Sequence, residues 1–259
     1  MKINILFLIG SLVFGTFAFA DDDALLKALM SGDRAARKNT AGQLEELSKE
    51  DLIALAQKAI QSDALKPSES IYAFHQVLAI AQEKGFGVDD ALVLLKKSES
   101  LKLKLAIMDW LKEFGVKKVS SENAVGLLSD ISEYFSSKQD QIQLRVAALK
   151  VCQELAWKMN VNLQEDKKMT KSQQDKIKSV LREHIDKVCQ IVEDESEDDK
   201  SVETFAGYIP YYRYYAREGI YSEEDLKATL KRASKQKTRS EKSKKFLQSI
   251  ISTEWKSTP

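Results

Sequence analysis

Apolar residues recur at spacings of three and four along almost the whole chain, and runs alternating apolar with polar β-branched residues are absent. The pattern predicts an all-α protein of about eleven helices. Their spans are 24–31, 33–47, 49–62, 68–84, 88–97, 99–114, 121–136, 140–160, 171–193, 200–218 and 222–255, the last split near Lys237. Three prolines and ten glycines leave few breakers. Helix starts are marked by Ser48 with Asp51, by Ser121 before Glu122, and by Ser222 before Glu223 and Glu224. Gly85, Gly115 and Gly219 mark helix ends.

An internal repeat overlies this periodicity. Leu103-Lys-Leu-Ala-Ile-Met-Asp-Trp-Leu-Lys-Glu-Phe114 aligns with Leu144-Arg-Val-Ala-Ala-Leu-Lys-Val-Cys-Gln-Glu-Leu155, and Ala36 to Leu47 fits the same frame more loosely. A long basic residue stands second in each (Arg37, Lys104, Arg145), and Asp33 and Asp140 stand shortly before two of them. Small residues such as Ala106, Ala147 and Ala148 leave room for close helix approach. The pattern resembles the second helix of a HEAT-type repeat, best at 140–155 and more loosely from Asp33 to Leu155. The resemblance implies an α-α superhelix, a solenoid of antiparallel hairpins whose inner face is an extended binding surface. On this reading 21–259 is a single solenoid-like domain.

The first twenty residues carry an address. Lys2 precedes the apolar run Ile3 to Phe19, which closes on Ala18-Phe19-Ala20, and Asp21 to Asp23 follow. This is the form of a cleaved signal peptide over 1–20. It predicts export to the periplasm or the cell exterior, with a bacterial source favoured by the short leader. No later segment is long and apolar enough to span a bilayer.

Charge narrows the partners. The 40 Lys and Arg less Lys2 leave 39 against 39 Asp and Glu, so the mature chain is neutral. A nucleic-acid binder needs a basic excess, and none is present. Locally the balance breaks: Glu193-Asp-Glu-Ser-Glu-Asp-Asp199 is acidic, and Lys227 to Lys256 holds ten basic residues against Glu241 and Glu254. The acidic run lacks the central glycine and closing glutamate of an EF-hand and reads as a solvated loop. The basic end reads as a solvated helix pair.

Catalytic motifs are missing from the sequence. The two histidines, His75 and His184, have neither an i,i+4 histidine nor a nearby cysteine, so no zinc motif exists and no cofactor is expected. His184, between Glu183 and Asp186, reads as a surface histidine on a charged face. Carboxylate chemistry needs no histidine. Glu69-Ser70 and Glu99-Ser100 are similar to the dipeptide that opens the lysozyme-like domain of soluble lytic transglycosylases, although the glycine-rich, aromatic surroundings of that site are absent. Cys152 and Cys189 lie in apolar helical stretches. They face each other for a disulfide if the intervening turn lies near Lys171, and are offset if it lies near Gln164.

The least ordinary feature is a cluster of tyrosines. Tyr208, Tyr211, Tyr212 and Tyr215 fall at i, i+3, i+4 and i+7, one helical stripe, with Tyr214 off it beside Arg213 and Arg217. Pro210 starts or kinks a helix here. Such a stripe is either packed inside or offered as rigid amphipathic contact area. The sequence therefore points to an exported, non-catalytic scaffold that binds another envelope or secreted protein through Tyr208, Tyr211, Tyr212, Arg213, Tyr214 and Arg217. A glycan-binding or glycan-processing envelope protein is the alternative, and a structural subunit of a larger assembly the third reading.

Overall fold

The computed structural model describes residues 22–255, so the leader and its cleavage site lie outside the described residues. Among those described, every regular element is helical. Backbone contacts divide the chain into two compact units, one up to Gly85 and one from Phe86.

The first unit holds α1 (Asp22–Leu29), α2 (Arg34–Glu45), α3 (Lys49–Gln61) and α4 (Pro67–Glu83). Its core follows the expected stripes: Leu26, Leu44, Leu52, Ala56, Ala59, Phe74, Val77 and Leu78 are buried. Ser48 accepts from the Asp51 amide, as its spacing predicts, and Gly85 ends α4 at φ +90°. Asp22 pairs with Lys58 at 3.0 Å and Asp23 accepts from the Ser62 hydroxyl at 3.0 Å, which fixes the first helix to α3.

The second unit starts with α5 (Val88–Lys97) and α6 (Leu101–Trp110). The helix expected to end at Gly115 instead continues through a π-helical turn, Leu111–Gly115, into α7 (Val116–Lys118). Gly115 has helical backbone angles, and a Cβ there would lie 3.1 Å from Leu111 and 3.3 Å from Trp110. Its role is close packing, not termination. Then come α8 (Ser121–Ser136), α9 (Ile142–Glu165) and α10 (Lys171–Glu193). The cap of α8 is Ser120, one residue before the expected Ser121. α8 and α9 form the principal pair of this unit, and α6 also packs on α9, so the two best-matching repeat segments are neighbours.

The predicted helix over 200–218 is broken. It becomes α11 (Asp199–Ala206), a 3₁₀ turn (Ile209–Tyr212) and α12 (Arg213–Arg217). Pro210 supplies no N–H to a continuing helix and sits at the start of the 3₁₀ turn, as its chemistry requires. The split expected near Lys237 is present between α13 (Glu223–Ser234) and α14 (Glu241–Glu254). No described helix is long and apolar enough to cross a membrane.

Candidate functional site

The tyrosine stripe does not survive as one face. A 3₁₀ turn advances three residues per turn, so the buried positions become Ile209, Tyr212 and Tyr215. The phase slip turns Tyr211 outward, to 68% exposure, while Tyr212 is 1% exposed. Tyr208 and Tyr214 are half-buried and Arg217 is exposed. Six residues proposed together as one contact surface thus divide. Tyr212 belongs to the core. Arg213 is spent on structure: its Nε donates to Glu223 at 2.9 Å, Nη1 donates to the Glu254 carbonyl, and the guanidinium lies 5.0 Å from the centre of the Trp255 ring. It ties α12 to both α13 and the end of α14.

Tyr214 points instead at α9, where its ring lies 5.2 Å from Trp157 and its hydroxyl accepts from Gln164 Nε2 at 3.1 Å. Trp157 is 50% exposed. Sequence reasoning missed both α9 residues. A signal was present: 144, 148, 152, 155 and 159 are the buried stripe of α9, and Trp157 lies off it.

Behind this edge runs a continuous aromatic file. Tyr214 meets Tyr215 at 6.0 Å, Tyr215 meets Tyr212 at 6.1 Å, Tyr212 meets His184 at 5.6 Å, and His184 meets Phe135 at 5.6 Å. His184 is fully buried, not on the surface as its charged neighbours suggested, because it shares the α10 stripe with Ile177, Leu181, Ile185 and Val188. Its Nε2 and the Tyr212 hydroxyl are 3.1 Å apart, while Nδ1 lacks a hydrogen-bond partner. Burial, with the Lys187 charge adding to it, holds the imidazole down at about 3, so it is neutral at ordinary pH. The Tyr212 phenol is pushed up by the same burial. The exposed rings therefore rest on a packed, uncharged backing.

The acidic loop is likewise not simply solvated. Arg145, 3% exposed, donates through both terminal nitrogens to the Glu197 carboxylate at 2.8 and 2.7 Å, and through Nε to the Phe135 carbonyl at 2.9 Å. Arg239, also buried, donates to the Glu197 and Asp194 carbonyls and to Gln236 Oε1. Asp198 caps α11. Asp194 is held down at about 2, first by the hydrogen bond from Lys138 and then by those from Ser196. The repeat's second-position base thus performs unlike tasks: Arg145 is a buried clamp and Arg37 is exposed.

Two cavities flank α10. One, of about 360 Å³, is lined by Asp186, Cys189, Glu193, Tyr221, Thr229 and Arg232 among others. Its groups satisfy one another: Tyr221 donates to Asp186 at 2.7 Å, and Glu193 accepts from Arg232 and Thr229. The other, of about 250 Å³, lies at the turn between α9 and α10.

The remaining candidates find local explanations. Glu69 accepts from the Lys66 amide at the start of α4, and Ser100 caps α6. Cys152 and Cys189 are free, buried thiols. Cys152 faces the Leu128 carbonyl, Cys189 faces the Tyr221 hydroxyl, and burial pushes both thiols up, Cys189 to about 11. Among the described residues no group of three or more His, Cys, Asp or Glu is placed to hold a metal ion.

The geometry thus defines an all-α protein with a braced aromatic edge on its second unit. No family model, no curated protein and no solved structure matches the chain.

Proposed function

We propose that this is an exported, non-catalytic scaffold, built of degenerate HEAT-like hairpins in a solenoid, that holds another envelope or secreted protein through the edge formed by Trp157, Tyr211, Tyr214 and Arg217. One observation carries the reading: Trp157 and Tyr211 stand at least half exposed, and Tyr214, whose ring meets Trp157, is held by Gln164 and backed by the buried Tyr215 ring. Aromatic area that is already immobile loses little entropy on binding, and Trp, Tyr and Arg dominate binding energy at interfaces. Export rests on the leader, and the hairpin reading on the repeat and on the pairings of α3 with α4, α8 with α9 and α13 with α14.

The test is capture of partners from the native envelope by the wild-type chain and by a Trp157→Ala/Tyr211→Ser/Arg217→Ser variant of unchanged thermal stability. A partner held by the first and lost by the second is the expected result. Equal capture by both, or none by either, refutes the reading.

The same edge also supports the glycan-binding alternative. A half-exposed indole beside an amide and a phenol matches a sugar's apolar ring face and its hydroxyls. Quenching of Trp157 fluorescence by a β-linked oligosaccharide, absent in Trp157→Phe, distinguishes it.

A further inference from the structure

The cavity at the α9–α10 turn differs in kind from the one beside α13. Its lining includes three apolar residues: Val125 from α8, Met169 from the turn and Ile177 from α10. Four polar residues complete the lining, and two of them are already committed. The Asp166 carboxylate accepts from the Lys168 amide at 2.9 Å, and Gln173 Oε1 accepts from the Thr170 amide at 2.9 Å in the cap of α10. The ammonium groups of Lys168 and Lys176 have no ion-pair partner among the described residues. Two cations without an ion-pair partner among the described residues and one carboxylate thus share the lining with three apolar residues, a balance of one positive charge over the lining.

We propose that this cavity binds a small aliphatic monoanion, an unbranched or leucine-sized tail ending in a single carboxylate. Charge decides the head group. One negative charge neutralises the site, whereas a dianion would overshoot and meet Asp166. Volume limits the tail: a cavity of about 250 Å³ takes only a short one. Such a tail covers Val125, Met169 and Ile177 while its carboxylate stays at the solvent edge between the two lysines. This site goes beyond the aromatic edge and does not depend on it. The chemistry has two sources, a free acyl carboxylate or the C-terminal residue of a polypeptide.

Met169 reports on the cavity from inside. The full chain carrying ¹³C-methyl methionine, with the Met169 signal assigned by Met169→Leu, is titrated with octanoate, with octylamine, and with an Ala-Ala-Leu peptide as free acid and as C-terminal amide. Octanoate or the free-acid peptide should shift the Met169 methyl saturably, octylamine and the amide should not, and Lys168→Gln/Lys176→Gln should weaken binding about tenfold. Tighter binding of octanoate assigns the acyl source, and tighter binding of the free-acid peptide assigns the polypeptide source. A silent Met169, equal binding of octylamine, or affinity unchanged in the lysine double variant overturns the proposal. All these exchanges lie at or near the surface, and unchanged thermal unfolding verifies the fold.

Discussion

The acidic loop at 193–199 and the tyrosine segment at 208–217 are separated by a single short helix, and each inverts what its composition suggests. Six carboxylates in seven residues read as solvent-facing, yet Glu197 is 6% exposed. Four tyrosines at helical spacing read as one face, yet they divide between core and surface. A charge can be interior where a geometrically matched partner waits for it, and Arg145 offers two parallel donors. An aromatic can be exterior where the backbone period changes beneath it, and the 3₁₀ turn after Gly207 does that. Composition governs the average burial of a segment. It does not govern which member of the segment turns inward.

The comparison breaks most sharply at the clamp. Arg145→Met leaves the Glu197 carboxylate buried without its partner and should cost about 3–5 kcal/mol in urea unfolding. Pairing it with Glu197→Leu should recover most of that loss. If the single exchange is neutral, the loop is solvated after all. Next comes acid sensitivity. The folded chain holds His184 near 3, while the unfolded chain titrates near 6.5. Unfolding takes up a proton anywhere between, so the contribution is whole above about pH 6.5 and shrinks by about 1.4 kcal/mol per pH unit down to about pH 3. Urea midpoints at pH 7.5 and 5.0 should show this slope in the wild type and a flatter one in His184→Gln.

Smaller effects separate the two classes of tyrosine. Tyr212→Phe strips His184 of its one hydrogen-bond partner and should cost about 1–3 kcal/mol. Tyr211→Ser, at an exposed site, should stay within about 0.5 kcal/mol while weakening partner capture. Equal destabilisation by the two exchanges would return Tyr211 to the core and remove the proposed contact edge.

Much of the helical framework was legible from spacing alone. The stripes of α3, α4, α9 and α10, the caps at Ser48 and Ser222, the stop at Gly85 and the break at Pro210 are local consequences of periodicity, side-chain capping, positive φ and a missing N–H. His184 was misread as a surface residue, because its charged neighbours were weighed above its place on the α10 stripe. Trp157 stood off the α9 stripe and so announced its exposure, but nothing near it in sequence named Tyr214, 57 positions on.

What the linear pattern determined by itself was the all-helical class and the main apolar stripes of the regular helices, because both depend on interactions within a few residues of chain. What only the tertiary structure decided was pairing: Glu197 for Arg145, Tyr212 for His184, Gln164 and Trp157 for Tyr214, and the gathering of Lys168 and Lys176 with Val125, Met169 and Ile177 around one cavity. Those matches join groups from separate helices, and they depend on how helices cross and where turns reset their phase. No spacing along the chain encodes that geometry.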